Sequence, residues 1–333
     1  MELSRHKKID QKKRYKLAIY LTIQEFHQTK NYSIEWMCRQ FKISRAAYYK
    51  WLNKEPSQRD QENEIILELL KETHQVFKGL YGSYRLRMAI QPQLTFKVNH
   101  KRIERLMRVN NIQSVFRKKK KNNSNKTVKP EEVSENILSR DFNATQPNQK
   151  WVTDITEIKE PGWSTKLYIS SILDLYDNYP VACIVGSSNN VNLVEECLRL
   201  ANTQRNEEST LLHSDRGFQY TRKVFKSNLE KEGICHSMSR VSRCIDNGPI
   251  ESFQGIMKEE MRILFDISTP EKFKAALSKY LQFYTDERPQ RRLNGQTPNQ
   301  VRAAAHQSEN PIPYPIPKNY RVEKYRKMIN TIS

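Results

Sequence analysis

The chain has 333 residues, enough for two or three domains with ordinary cores, and carries a formal net charge of +20 at pH 7. No run nears the ~18–20 apolar residues that a membrane span needs, and the opening "MELSRHKKIDQKKRYK" lacks the apolar stretch of a secretory signal. The five cysteines, Cys38, Cys183, Cys197, Cys235 and Cys244, form no C-x-x-C pair, which argues against a disulfide framework or zinc ribbon and for a reducing cytoplasm. Residues 1–150 hold 32 Lys+Arg against 15 Asp+Glu, a net +17, whereas residues 151–333 hold 25 against 22, a net +3. Solvated helix lysines or a membrane surface are the ordinary explanations of such a basic half. With tyrosines interleaved and no amphipathic membrane helix evident, a polyanion such as DNA is the better partner.

The first half reads as helical. Tyr15, Ile19, Ile23 and Phe26 recur at helical spacing on a lysine-rich segment. In "YSIEWMCRQFKISRAAYYKWL", Ile34, Met37 and Phe41 make the inner face of one short helix. "KIS" is a tight turn whose Ser44 can cap the next helix, in which Ala47 and Trp51 face inward. Arg45, Tyr49 and Lys50 then point outward, as in a helix-turn-helix lying in a major groove; an ordinary helical hairpin has the same pattern. This N-terminal region is taken as residues 1–56. A second helical unit, 57–116, contains "YGSYRLRMAI" and "VNHKRIERLMRVNNI", with Asn99 as N-cap and Ile103, Leu106 and Met107 on the buried side. Arg102, Arg105 and Arg108 follow an outer strip suited to phosphates. Residues 117–145 read as a basic flexible linker, whose run through Lys118, Lys119 and Lys120 is either solvated or holds a DNA backbone.

From about residue 146 the texture becomes α/β. "KWVTDITEIK", "KLYISSILDLY" and "YPVACIVGSS" read as strands and "NVNLVEECLRLANTQ" as a helix. The strand "STLLHS", the helix "TRKVFKSNLEKEG", the strand "ICHSMS" and the helix "PIESFQGIMKEEMRILF" follow. The core is placed at 146–305, and the proline-rich, basic tail at 306–333 is expected to be extended, either loose or packed on another subunit.

Three carboxylates fall at telling places. Asp154 lies inside the first strand of the α/β region, where an acid is a poor strand former. Asp215 ends a later apolar strand in "LLHSDRGFQY", a position that ordinary turn chemistry also explains. Glu251 lies in the first turn of the last helix, where it also complements the helix dipole. Thirty-five residues separate Asp215 from Glu251. On that helix Ile250, Phe253, Met257 and Leu264 make an apolar stripe, and Glu251, Gly255, Lys258 and Arg262 make a second face fit to approach a metal and a phosphate backbone.

"WVTDIT", "LLHSDRGFQYT", "SMSRVSRCIDNGPIESFQGIMKEE" and "FYTDERPQRRLNGQTPNQVR" resemble the DDE transposases of insertion-sequence family three, in the protein of the second reading frame with its retroviral-integrase type of core. "MCRQFKISRAAYYKWL", "YGSYRLRMAI" and "KRIERLMRVNNI" extend the resemblance over roughly residues 30 to 303. It implies an RNase H-like α/β catalytic domain preceded by an all-α helix-turn-helix region. It also implies a catalytic, metal-binding triad of Asp154, Asp215 and Glu251, in which Asp154 bridges two Mg²⁺ or Mn²⁺ ions. Lys258 becomes a DNA contact near the reacting end, with Arg262, Arg45, Tyr49, Lys50, Arg102, Arg105 and the linker lysines as further contacts. His213, Ser239, Arg240, Asp246 and Asn247 become supporting residues around the triad. Ser242, Gly248 and Gln254 stand where the family usually has glycine, alanine and an aromatic residue; none removes a carboxylate.

The implied activity is cleavage at the ends of an insertion sequence and transfer of a 3′-OH to a new strand, through a figure-eight and a circular intermediate. The implied partners are the double-stranded DNA of the terminal inverted repeats and target, a second protomer or more, and an upstream-frame DNA-binding protein; the implied place is the bacterial cytoplasm at the nucleoid. Two other readings use the same residues: a DNA-binding regulator that occupies the ends without cutting, and an RNase H-like nuclease that cuts without joining. A zinc site is disfavoured, because His213, Cys235, His236 and Cys244 match no finger spacing and the HHCC module of retroviral integrases is not visible. Ser214 lacks the G-x-S-x-G setting of a hydrolase elbow.

Overall fold

A computed structural model describes residues 2–53, 55–115, 134–205, 209–240 and 244–316, with side chains from residue 15 onward and without those of residues 244 and 245. Lys118, Lys119, Lys120 and Ser242 lie outside the described residues. The chain folds as two compact units, Met1–Ile65 and Ile66–Ser333.

In the first unit, α1 (Glu2–Lys30), α2 (Ile34–Gln40) and α3 (Arg45–Leu52) enclose a small core of Ile19, Tyr20, Ile23, Met37, Cys38 and Tyr48. Ser33 caps α2, its hydroxyl accepting the Trp36 N–H, and Lys42 takes a left-handed φ of 53° to turn the chain into α3. Ser44 occupies the α3 N-cap position but makes no side-chain cap bond. Three details depart from the helical pattern, the first being that Phe41, expected on the inner face, is 40% exposed at the α2 C-cap. Tyr15 is 71% exposed, so the α1 stripe begins at Ile19, and Tyr48, flanked by Tyr20 and Trp51 rings, takes the central place expected of Ala47. An aromatic ring fills space that a methyl leaves empty, so volume decided the face.

The second unit begins within α4 (Gln58–Val76) and continues through α5 (Ser83–Ile90) and α6 (His100–Val109), the last capped by Asn99, whose Oδ1 accepts the Lys101 N–H. Among the described residues the strands β1 (Lys150–Ile158), β2 (Leu167–Asp174), β3 (Pro180–Gly186), β4 (Thr210–Ser214) and β5 (Ile234–Met238) form one sheet in the order β3-β2-β1-β4-β5. β1, β2 and β3 pair antiparallel, and β4 joins β1, and β5 joins β4, in parallel. A meander followed by parallel crossover strands is the RNase H-like sheet that the resemblance implied. The helices α7 (Val191–Asn202) and α8 (Lys223–Lys231) cover one face, against Trp151, Ile172, Leu212 and Ile234. The other face packs on α9 (Gly248–Leu264), α10 (Pro270–Gln282) and α11 (Pro298–His306).

Three boundaries differ from those expected. Ile66, Leu70, Leu86, Ile103 and Met107 share one core with Ile250, Met257, Tyr280 and Val301, so the helical segment after residue 65 is built into the catalytic unit. Polar bonds reinforce this seam: Lys78 Nζ donates to the Leu264 carbonyl at 2.9 Å, and Arg85 lies 3.6 Å from buried Glu260, which Arg288 clamps through Nε and Nη2. The flexible stretch does not reach residue 145, because Leu138 and Ala144 are buried and the backbone at Glu135 accepts the Met238 N–H. The proline-rich tail as far as Ile316 packs on its own chain: the Tyr314 carbonyl accepts Arg292 Nε, and the Ile312 carbonyl accepts the Tyr176 hydroxyl. Prolines there leave few N–H donors, so carbonyls and buried Tyr314 make the contacts.

Glu260 and Arg288 are both nearly inaccessible, and removing one partner strands the other's charge. Glu260→Ala is expected to destabilise the second unit by about 3–5 kcal/mol in urea or thermal unfolding. An unchanged midpoint would show that the pair is not a structural element of the seam.

Candidate active site

The sheet register brings the first two carboxylates together. β1 and β4 run parallel with Val152 opposite His213, and two residues further along each chain stand Asp154 and Asp215. Parallel neighbours are about 4.8 Å apart, so this register sets the two aspartates side by side at the edge where β4 ends. Glu251 comes from the first turn of α9, a helix opened by Pro249 at its first turn, where the missing N–H costs nothing. Asp154 and Asp215 are half-buried and Glu251 is exposed.

Their electrostatics show that the three sense one another. Burial and then the negative charge of Asp215 hold the Asp154 carboxyl well above the usual range, with Glu251 adding to the repulsion and Lys258 opposing it. Burial raises Asp215, against the pull of the Gly217 N–H. Burial and Asp215 raise Glu251. Oxygen donors with unbalanced negative charge fit a hard divalent cation. Among the described residues, however, no three His, Cys, Asp or Glu side chains are gathered closely enough to hold an ion as they stand. Asp154 Oδ1 accepts its neighbour Ile155 N–H and Asp215 Oδ1 accepts the Gly217 N–H, each at 2.8 Å. Like charges separate toward the nearest backbone donors.

The supporting residues form a buried frame behind the carboxylates. His213 is fully buried between two hydroxyls, Nδ1 at 2.9 Å from Ser237 Oγ and Nε2 at 3.0 Å from Ser239 Oγ. Burial pushes its pKa down to about 4 despite the attraction of Asp246, so it is neutral at pH 7. Asp246 is held below the usual carboxylate range chiefly by Arg240, which reaches it through Nε and Nη2 at 3.0 Å each. Asn247 Nδ2 donates to the Thr153 carbonyl, one residue before Asp154.

Lys258 sits beside the site. Its Nζ donates to Thr156 Oγ1 and, at 2.9 Å, to the Glu157 carbonyl, on the strand that carries Asp154. Arg262, expected as a DNA contact, has its guanidinium bonded within the chain to Glu160 at 2.6 Å and to Glu259 at 2.8 Å. Those carboxylates satisfy the charge within the chain, so Arg262 ties α9 to the end of β1. Arg45, Tyr49 and Lys50 are exposed on α3, with Arg45 3.5 Å from Glu35. Arg105 is exposed on α6, while Arg102 is half-buried, its guanidinium 5.9 Å from the Phe96 ring.

Two of the three departures from the family pattern fall in described positions. A Cβ on Gly248 would meet nothing within 4 Å, so alanine fits there equally well. Gln254 is buried and donates through Nε2 to both the Asp154 carbonyl and Ser171 Oγ at 3.0 Å, bolting α9 onto the paired strands β1 and β2. Only its place three residues after Glu251 hinted at this. Gly217 has a role that the turn pattern did not reveal: a Cβ there would stand 3.0 Å from Asp215 Oδ1 and 2.8 Å from Gln219 Oε1.

Against this geometry, integrase core domain family models match residues 144–244 and 232–298, and an HTH-like domain model matches 60–120. The HTH-like match thus falls on α4–α6. The InsK protein of insertion sequence element IS150 from Escherichia coli K12 is 32% identical over 275 residues, 81% of this chain and 94% of that protein. The transposase InsF of insertion sequence IS3A from the same organism is 29% identical over 240 residues, 71% of this chain and 81% of its own. The simian T-cell lymphotropic virus intasome structure aligns at a TM-score of 0.43 and 16% identity, covering 76% of this chain and 78% of that one.

Because the three carboxylates bind protons more tightly folded than unfolded, they stabilise the fold at low pH and lose that contribution as pH rises above the ordinary carboxylate range through their raised values. Asp154→Asn is therefore expected to raise the Tm at pH 7–8 in chelator-treated buffer relative to the parent, and to leave it little changed near pH 4. A lower Tm at pH 8 would contradict the repulsion. Gly217→Ala is expected to displace Asp215 and cut activity more than it lowers Tm, read by comparing end cleavage with the melting curve.

Proposed function

This chain belongs to the transposases of insertion-sequence family three and acts in DNA transposition, and from that premise we propose that Asp154, Asp215 and Glu251 are its catalytic carboxylates. The observation that carries this reading is the parallel β1–β4 register together with the mutual repulsion of the three acids. Asp154 would hold two Mg²⁺ or Mn²⁺ ions jointly with Asp215 and Glu251, each of the latter favouring one. Bound ions would neutralise charge on the phosphate and lower the pKa of the attacking oxygen.

Two displacements follow. In the first, a water oxygen attacks the phosphorus at the element end; the bond from phosphorus to the 3′ oxygen breaks, and that oxygen leaves as a free 3′-OH. In the second, that 3′-OH oxygen attacks a new phosphorus, one phosphodiester bond forms, and the 3′ oxygen of the broken strand leaves with a proton. Bond number is conserved, so no external energy source is required. No covalent protein intermediate is involved, in keeping with the absence of any role for Ser214, whose hydroxyl donates to the Asp215 carbonyl.

Lys258, whose Nζ bonds to Thr156 and Glu157 on the strand that carries Asp154, would meet the phosphate of the reacting end. The HTH-like helices α4–α6, with exposed Arg105 and Arg108, and α3 in the first unit, with Arg45, Tyr49 and Lys50, would bind the terminal repeats and flanking DNA. Two ends must be processed together, so a dimer or larger assembly on DNA is the working form, in the bacterial cytoplasm. No helix among the described residues is long and apolar enough to cross a membrane.

Asp154→Asn, Asp215→Asn and Glu251→Gln are each expected to reduce Mg²⁺-dependent end cleavage and joining by about 10³-fold or more while leaving end binding in gel-shift assays intact. Parental cleavage and joining by any one of them would remove that residue from the active site. Cutting without joining by the parent would instead favour the simple nuclease.

A further inference from the structure

The segment from Ser134 to Arg140 has the composition of a linker, yet it is laid against the frame of two catalytic carboxylates. Its first residues run beside the free edge of β5. The Ser134 N–H points to Met238 Sδ at 3.3 Å, the Met238 N–H donates to the Glu135 carbonyl at 3.1 Å, and the Leu138 N–H donates to Ser237 Oγ at 3.0 Å. Ser237 Oγ in turn meets His213, two residues before Asp215. Leu138 is 2% exposed, so this is a packed contact rather than a grazing one.

The other end of the segment reaches Asp246. Arg140 Nε donates to Asp246 Oδ1 at 2.5 Å and Asn136 Nδ2 donates to Oδ2 at 3.1 Å. Arg240 supplies the remaining bonds, from Nε and its backbone N–H to Oδ2 and from Nη2 to Oδ1. Asp246 is fully buried and sits in the 3-10 turn Cys244–Asn247, directly before α9. Its neighbour Asn247 is tied to Thr153 beside Asp154, and α9 presents Glu251 one turn later. A buried carboxylate accepting from two guanidiniums and an amide is a fixed point.

We propose that Ser134–Arg140 is a positioning strap of the catalytic centre, in which Arg140 and Asn136 lock Asp246 and so fix the start of the helix that carries Glu251, while Leu138 braces the His213–Asp215 strand end. Arg140 and Asn136 touch no reacting atom; they are positioning residues, and their effect passes through Asp246. The inference rests on the assignment of Glu251 and Asp215 as metal-holding residues. It adds that the piece of chain immediately preceding the core strands belongs to the active site and must be included in any active fragment.

The test uses the full chain and two readouts. Arg140→Met and the double variant Arg140→Met/Asn136→Ala leave Arg240 on Asp246, so the fold is retained and the melting curve confirms it. Amide hydrogen exchange over residues 244–251 is measured without DNA. Mn²⁺ binding is measured by calorimetry, and end cleavage is followed against Mg²⁺ concentration. The expected result is about 10-fold faster exchange at 244–251, about 10-fold weaker Mn²⁺ binding and a matching rise in the Mg²⁺ needed for half-maximal cleavage, with Arg140→Lys recovering part of each. Parental exchange and parental Mn²⁺ affinity in the double variant would overturn the strap. Asp154→Asn serves as the companion: parental cleavage by that variant would sink the catalytic reading, while the exchange at 244–251 of the Arg140 and Asn136 variants, measured without metal or DNA, still reports on the strap.

Discussion

Three negative charges at one sheet edge repel one another, and most of the polar architecture of the second unit holds them there. Asp154 comes with the strand register: a slip of one residue would exchange the side chains facing the two helical layers and carry the aspartate to the opposite face. Asp215 comes with a tight turn in which a Cβ at Gly217 would press on Asp215 Oδ1 and Gln219 Oε1, so those side chains would have to move. Glu251 comes with a helix whose approach to the sheet is set by Gln254, Asn247 and Arg262, each bonded to β1 or the segment just after it. The carboxylates contribute little to folding as anions. Their neighbourhood is imposed by the packing of the elements that carry them rather than by their own interactions.

Of the proposed triad, only Asp154 broke a local rule; Asp215 at a turn and Glu251 in a helix's first turn obeyed theirs and were singled out by the family resemblance. An aspartate inside a strand is hard to explain by propensity alone, and the thirty-five residues between Asp215 and Glu251 carried weight only through the resemblance. The alternation of the strands and the capped, amphipathic helices were legible for the opposite reason, since every local preference agreed with the fold. The face of α9 was only half visible: Gln254 and Glu260 are buried polar residues, and periodicity reads such residues as solvent-facing.

What stayed hidden depends on partners far away in the chain. Arg262 looked like a phosphate contact because helical spacing places it below Glu251 and Lys258; its partner Glu160 is 102 residues away. Arg140 and Asn136 looked like linker because a polar, charged stretch with few apolar residues has no period to detect. Their partner Asp246 lies more than a hundred residues on. The same holds for Glu260 and Arg288, whose burial is possible only because each neutralises the other. Long-range ion pairs leave no trace in local pattern, so the buried polar frame is the part of such a protein that a single sequence conceals.

The shared core of α4–α6 and α9–α11 makes the molecule a ruler. If α6 and its neighbours grip DNA as proposed, the gripped base pairs would lie at one fixed separation from the three carboxylates, because Leu86, Ile103 and Met257 belong to the same packed interior. A packed interior yields little to strain. On the proposed reading, the phosphate that is cut would be set by its distance along the duplex from the gripped site. Inserting a single base pair between the two would carry the scissile phosphate about one-tenth of a helical turn around the axis and out of reach.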